Sequence, residues 1–565
     1  MIMGAGGVAQ LLHAKAKRSP SKSTAKKRRL LFNWDGSMIH AWGRTALPHS
    51  YGPITREQFT SLVFSPIENT AVDTLLFSFG SGNVAEYQSN VLEWPGEADR
   101  FKFPESKSWH GGIEVNPKDQ YLNPKSLADA GHNPPAVIVE ECRKRGLDAF
   151  VSLRMNDIHD GQHAKGTLPN VELPTFKRIN PDWLVEDLDW WSALNFAHPR
   201  VRALKLKVVE EFFDRWDFDG IELDWMRHSL YFPRGTEREN GKYLTQFMRA
   251  VRKSLNKKAI KRGRPIEIAV RIPERIDWCE LGGFEIAEWI SEDLVDMLIL
   301  GQGLTELPTL GEFRGLMKSR QIPIYPTLFS YGNSYRVSPD EVIRGSASNL
   351  WRDGADGLYT FNWYLYGSWR KHLLNEIAYP GRMKKKDKHY TLVQRFEASP
   401  RAPGADYVRY NTVSKDAPVP FNLNVADGIK TVHIPVGDDL KTSKPKSAEL
   451  WMAMDYSQPG DQLTLSVGDV VLEPSNVDIA SNLATLGYQI APLPGNGMIG
   501  FPDDKPFDMR FKGLRFRVPI TALKSGRNKL SIQLNKRGPG SDKPFRVRRI
   551  ELVTRMSKQP VISRL

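Results

Sequence analysis

Glu222 and Asp224 stand two residues apart in the stretch Phe218-Asp219-Gly220-Ile221-Glu222-Leu223-Asp224-Trp225-Met226-Arg227-His228. In a strand, alternate residues share a face, so the two carboxyl groups lie on one face and Ile221 and Leu223 on the other. Asp219-Gly220 supplies the turn that opens the strand. Helix-like runs flank it at 199–216 and 237–257. A strand between two helices belongs to a parallel sheet, which is covered on both faces. Carboxyl groups inside a covered strand call for a chemical reason. One such reason is glycosidic bond cleavage, in which one carboxyl protonates the leaving oxygen and the other acts as nucleophile or base. Their separation sets the outcome, about 5 Å for retention and roughly 6.5–9.5 Å for inversion.

Asp224, next to the strand end, is the first choice for a reacting group. Glu222 is one layer deeper and is expected to support it, shifting its pKa by like-charge repulsion. The second carboxyl should come from a neighbouring strand. Glu274, beyond the fifth strand, and Asp157, beyond the third, both remain candidates. Arg154, Arg227 and Arg271 accompany these acids. Arginine can hold a carboxylate ionised or fork onto a carboxylate or sulfate of a substrate. Asn156, His159, Trp225, Gln302, Asn362 and Trp363 complete the expected set, for hydroxyl binding and ring stacking. Asp157, His159, Asp160 and His163 could be weighed as metal ligands, but the segment reads as loop. No metal and no cofactor is expected. There is no glycine-rich phosphate loop after a strand and no serine in a nucleophile elbow.

The elements that must position these residues follow from apolar runs. Strands are expected at 30–34, 72–79, 147–153, within the opening stretch, and at 266–271, 295–300, 322–328 and 357–361. Helical runs separate them. Eight alternations over about 350 residues predict a (β/α)8 TIM barrel with long loop insertions, spanning 30–380. Polar clusters follow strands three, four, five, six and eight, the rim where barrels carry chemistry. Asp296, before strand six, should sit at the opposite rim and serve stability. Residues 84–133 and 161–198 read as long loops. Lys384-Lys385-Lys386-Asp387-Lys388 ends the alternation. From 381 to 565 a linker and an all-β sandwich, jelly-roll-like, are expected from short β-rich runs punctuated by Pro, Gly, Asp and Asn. The phrase 523–530 resembles the late hairpin of jelly-roll modules attached to glycosidases; the alternative is any tight hairpin with Gly526-Arg527-Asn528 at its turn.

Composition bounds the class. The 565 residues are 40% hydrophobic and 25% charged, which is globular. Fifteen Trp and seventeen Tyr suit stacking on sugar rings. Two cysteines exclude a disulfide framework or a thiolate cluster. Formal net charge is +14, partly from a basic tail at 1–29. No aromatic residue interleaves with that tail's charges, so a solvated disordered leader is preferred over a nucleic-acid arm. No apolar run would span a membrane, and the leader lacks the apolar core of a standard secretory signal. The basic balance favours an acidic or sulfated polymer.

The stretch 219–227 also resembles the fourth-strand motif of glycosyl-hydrolase-like barrel families related to bacterial family-10-like hydrolases. Their pattern runs roughly Asp-Gly-Ile-x-Leu-Asp-Tyr-x-Arg. Asp219, Gly220, Leu223, Asp224 and Arg227 match it, and Trp225 replaces the aromatic residue. The resemblance implies a carbohydrate-active barrel with Asp224 central. The stretch is similar as well to the chitinase motif Asp-Gly-x-Asp-x-Asp-x-Glu, but Met226 stands where that family keeps its acid. The expectation is a glycoside hydrolase acting on a polysaccharide or oligosaccharide. The alternatives are a non-catalytic carbohydrate-binding protein on a decayed barrel, or a sugar isomerase or lyase.

Overall fold

Eight apolar runs become the eight strands of a closed parallel barrel: β1 (Leu30–Trp34), β2 (Thr74–Ser78), β3 (Asp148–Arg154), β4 (Gly220–Asp224), β5 (Glu267–Ile272), β6 (Met297–Leu300), β7 (Ile324–Phe329) and β8 (Leu358–Phe361). Each pairs with the next, and β8 returns to β1. The structure, a computed structural model, describes residues 26–35, 54–94, 108–110, 113–115, 117–158, 160, 173–185, 191–301, 310–318, 320–329, 331–332, 335–337, 339–363, 370–393, 419–473, 512–540 and 542–557. His159, His163, Gln302 and most of the basic tail lie outside the described residues.

Helices separate the strands as expected, apart from the one at Pro117–Asp129, which falls in a stretch read as loop. They are α1 (Arg56–Phe64), α2 (Pro117–Asp129), α3 (Pro134–Arg145), α4 (Pro199–Arg215), α5 (Glu237–Arg262), α6 (Ile286–Ser291), α7 (Leu310–Leu316), α8 (Asp340–Arg352) and α9 (Lys371–Ile377). Gly146 ends α3 in the left-handed conformation, φ 68°. The expected loop at 84–133 is corrected in part, because it contains α2 and a short antiparallel hairpin, Ser108–His110 with Ile113–Val115.

Alternation along the strands sorts the core into two layers. Ile221 and Leu223 face outward and pack with Val208 and Phe212 of α4 and Phe247 of α5. Leu31, Leu76, Phe150, Ala269, Ile299 and Tyr359 meet one another inside the barrel. Gly220 opens β4 because nothing larger fits: a Cβ there would lie 2.4 Å from the Phe150 ring and 2.6 Å from the Glu267 carbonyl oxygen.

The rim at the strand starts is held by one repeated device. An Asp just before a strand accepts the backbone N–H of the neighbouring strand. Asp73 takes Arg29 at 2.5 Å, Asp219 takes Ala149 at 2.8 Å, Asp296 takes Ile268 at 2.8 Å and Asp356 takes Ile324 at 2.9 Å. Asp296 also pairs with Arg252 and Arg320 at 2.7 and 3.1 Å. Its expected place at the rim opposite the chemistry is what the structure shows.

Two antiparallel sheets follow the barrel. One orders β9 (Lys388–Val393), β17 (Phe545–Arg555), β12 (Ser447–Asp455) and β15 (Lys512–Arg517), with β10 (Phe421–Leu423) also on β17. The other orders β11 (Ile429–Val436), β16 (Gly526–Lys536), β13 (Gln462–Val467) and β14 (Val470–Val471). Leu392, Leu450 and Phe516 from the first meet Val432, Leu465 and Ile532 from the second in one core, a β-sandwich. The phrase at 523–530 is corrected: Gly526 begins the long strand β16, so Gly526-Arg527-Asn528 is not a turn. The sandwich is pressed onto the barrel. Trp451, Ala453 and Val553 join the barrel's outer core. A Cβ on Gly345 of α8 would lie 2.2 Å from the His389 carbonyl oxygen, and one on Gly437 would lie 2.3 Å from the Ser348 backbone. Beside these contacts the buried Lys388 ammonium pairs with Asp438 at 2.9 Å, and the Ser348 hydroxyl donates to the same carboxylate at 2.8 Å.

Candidate active site

At the opposite, carboxyl end of the strands the barrel interior turns polar. Glu222 lies near the barrel axis and is fully buried. The Tyr359 hydroxyl donates to its Oε1 at 2.7 Å, and the Asn33 amide donates to its Oε2 at 3.0 Å. Burial, with the negative charge of Asp224 added, pushes the Glu222 carboxyl up to about 7. Asp224, the last residue of β4, faces inward on the same side. Its Oδ2 pairs with Arg271 of β5 at 3.0 Å, and its Oδ1 accepts the Met226 backbone N–H at 2.9 Å. The Arg271 guanidinium lies over Phe361, 3.8 Å from the ring centre, and donates from Nε to the Gly301 carbonyl at 3.2 Å. Asp224 is 1% exposed.

A second ionic cluster adjoins the first. Arg154, at the end of β3, donates to Asp35 from Nε at 2.9 Å and to Asp157 from Nη1 at 2.6 Å. Arg227 adds a contact to the other oxygen of Asp35 at 3.1 Å. Burial alone would raise the Asp35 carboxyl; the guanidinium groups of Arg154, Arg227 and Arg271 outweigh it and hold it below the ordinary carboxylate value. His228 lies 3.9 Å from Asp157 through Nδ1, which accepts the Ile158 N–H at 3.3 Å. Arg227 and His228 are the partly exposed members of this cluster, at 18% and 15% of their side chains.

Two buried lysines brace the cluster from outside the barrel. Lys205 of α4 donates to the Gly82 carbonyl at 2.7 Å and the Asn83 side chain at 3.2 Å. Asn83 in turn donates to the Asp157 carbonyl at 2.9 Å. Burial lowers the Lys205 ammonium to about 7. Lys177 donates to that same Asp157 carbonyl at 3.2 Å and pairs with Asp160 at 2.6 Å.

The structure therefore brings together Asp224, Glu222, Arg271, Asp157, Arg154 and Arg227. Glu274 is buried just past β5, where its charge raises the neighbouring Cys279 thiol further after burial has done so. Asn362 follows β8 at φ 54°, a left-handed conformation that Asn tolerates better than most residues. Three expectations are corrected. Trp225 is fully buried among Phe196, Tyr231 and Trp289, because alternation sends residue 225 to the outer face with Ile221 and Leu223. Asn156 is fully buried, its amide donating to the Leu194 and Leu230 carbonyls and accepting the Leu194 N–H, so it fastens loops. Trp363 is also fully buried, which leaves no ring face for stacking.

Sequence reasoning missed Asp35, Asn33, Tyr359 and Lys205. Asp35 follows an apolar run just as Asp157 does, and the same rule applied to β1 would have found it. Lys205 stood four residues after Val201 on the apolar stripe of α4, a charge in a core position. Among the described residues no group of three His, Cys, Asp or Glu side chains suits a metal ion. No helix among them is long and apolar enough to cross a membrane.

Fold and site together define a TIM barrel with a buried carboxylate–arginine centre at its carboxyl end, followed by a β-sandwich. The sequence matches no protein-family model and no curated protein. Among solved structures the chain is similar to the PgaB (BpsB) glycoside hydrolase domain from Bordetella bronchiseptica, 11% identical over 62% of this chain and 98% of that one, with a TM-score of 0.34. It is similar to a glycoside hydrolase family 18 N-acetylglucosaminidase from Paenibacillus barengoltzii, 13% identical over 63% and 99%, TM-score 0.32. It is also similar to alpha-L-fucosidase isoenzyme 2 from Paenibacillus thiaminolyticus, 13% identical over 68% and 56%, TM-score 0.36. What the barrel does rests on its own residues.

Proposed function

We propose that the barrel is a glycoside hydrolase whose reacting centre is Asp224. The observation that carries this reading is the inward-facing pair Glu222 and Asp224 at the carboxyl end of β4, with one member buried and pushed up to about 7 and the other fixed by Arg271 and a backbone N–H. In this reading Asp224 works as a carboxylate, as nucleophile or as base toward water. Arg271 and the Met226 N–H set the direction of its lone pairs. Glu222, protonated below about pH 7, spares Asp224 a second negative charge beneath it there. The proton donor to the leaving oxygen is Glu274, placed one strand away on the same rim. Asp157, gripped by Arg154, orders the rim and does not donate. Arg227 and Asn362 contact the sugar. The barrel and the sandwich divide at about residue 380, chemistry on one side and polymer contact on the other.

One observation supports a second reading, a carbohydrate-binding barrel without turnover: both oxygens of Asp224 are engaged and the residue is almost wholly buried. Asp224→Asn separates the two. The enzyme reading expects hydrolysis of a glycan panel, neutral and acidic, to fall by three orders of magnitude or more in that variant, with the fold and sugar binding kept. A wild-type chain that binds glycans and releases no new reducing ends supports the second reading. Release of an unsaturated or isomerised product would replace both with a lyase or isomerase.

A further inference from the structure

The outer face of the sheet β11-β16-β13-β14 has no part in the chemistry above. Burial alternates along β16: Leu530, Ile532 and Leu534 point into the sandwich, and Arg527, Lys529, Ser531, Gln533 and Asn535 point out. Register places His433 of β11 opposite Lys529, Thr431 opposite Ser531, and Ser466 of β13 on the other side of Ser531. The four strands contain no acidic residue. On the outward face they carry Arg527, Lys529 and His433, all exposed; Lys430 stands opposite Ile532 and lies over the Phe421 ring, on the other side of the sheet. Among the described residues none of these side chains is in an ion pair; Asp469 and Glu473 lie just outside β14. An open face with unmatched cations at one end, and hydroxyl and amide groups beside the exposed Ile429 and Val471 along the rest, has the complement of an acidic, hydroxylated chain.

We infer that this sheet face binds an anionic polysaccharide, its sulfate or carboxylate groups on Lys529 and Arg527 and its hydroxyls on the Thr431–Ser531–Ser466 row. Outward residues of one strand repeat at roughly 7 Å, so Arg527 and Lys529 present two positive charges in line with the strand. No Phe, Tyr or Trp lies on the outward face of these strands, which leaves His433 alone as a ring on which single-stranded nucleic acid could stack. The contact is ionic and exposed, so it weakens with salt. The inference names a polymer class for the proposed barrel chemistry and to that extent rests on it.

The test uses the full chain carrying Asp224→Asn, so that binding is read without turnover. Affinities for chondroitin sulfate, polygalacturonate, dextran and single-stranded DNA are measured by retardation in gels or by biolayer interferometry at low and high salt. The basic N-terminal residues contribute equally to every variant, so the comparison is between variants. Lys529→Glu with Arg527→Glu should weaken binding to one of the acidic glycans at least tenfold with an unchanged melting temperature, and Lys529→Arg should not. Dextran should not bind. Equal binding by the double variant, or a preference for DNA over both acidic glycans, overturns the inference. A chain that binds an acidic glycan through this face yet hydrolyses nothing keeps the inference and loses the enzyme reading.

Discussion

The Tyr359 hydroxyl reaches from β8 across the barrel to donate to Glu222 Oε1 of β4 at 2.7 Å. The two strands are four apart in an eight-strand closed sheet, so this single bond spans the interior. It ties the acid below Asp224 to the far wall and fixes the layer on which the proposed chemistry stands.

That acid should leave a mark on stability. Glu222 has a folded value of about 7 against 4.5 for an ordinary Glu. Between those values the folded chain holds a proton that the unfolded chain has released, so stability falls as pH rises from 4.5 to 7. Glu222→Gln keeps the shape and cannot ionise, and the Tyr359 hydroxyl can turn to accept from it. Denaturant midpoints measured across this range should fall less steeply for the variant than for wild type. Parallel profiles would show that Glu222 is not held neutral.

Lys205 predicts the opposite slope at higher pH. Its folded value is about 7 and the ordinary value is 10.5. Between them the unfolded chain binds the extra proton, so stability rises with pH as the buried ammonium is relieved. Lys205→Met should flatten that rise between pH 7 and 10.5. The same variant frees Gly82 and Asn83 from their donor, which should speed amide hydrogen exchange in residues 80–85.

Arg154 holds two buried carboxylates at once. Arg154→Met would leave Asp35 and Asp157 without that partner, and breaking a buried pair costs about 3–5 kcal/mol. Small domains have only about 5–15 kcal/mol in total. The expected outcome is a large drop in the urea midpoint. Adding Asp35→Asn to Arg154→Met should recover part of it, and strict additivity of the two losses would show that the pair is not coupled.

Gly345 tests how the sandwich sits on the barrel. Gly345→Ala puts a methyl group 2.2 Å from the His389 carbonyl oxygen, so α8 and β9 must separate. Overpacking of this kind costs about 1–3 kcal/mol. A red shift in tryptophan emission would accompany it, since Trp451 is buried at this contact. A control substitution at Gly354, which has open space around it but a φ of 95°, separates backbone strain from crowding.

Most of the fold was legible because barrel strands are short apolar runs of even spacing. The seven given bounds were found to within two residues at either end, and the fourth lies inside the stretch 218–228 that was read as its site. The strand β9 was missed because it begins beside the Lys384–Lys388 charge run, which reads as linker; its Lys388 is in fact buried against Asp438. Helix α2 was missed because Pro124 and its polar neighbours mask its period. At the site, alternation correctly placed Glu222 and Asp224 inside. The same alternation, carried one residue further, would have sent Trp225 outside. Pairwise ion contacts such as Arg154 with Asp35, 119 residues apart, have no trace in local pattern.

The four aspartate clamps at the strand starts carry a practical consequence. Asp73, Asp219, Asp296 and Asp356 each lock a strand to its neighbour by a bond that no carboxyl-end loop takes part in. Alignment of the staves is thus written at the base of the cask, and the lip can be recut. Long segments could be grafted after β1, β3 or β6 without letting the wall slip, which makes this chain a scaffold tolerant of new specificities.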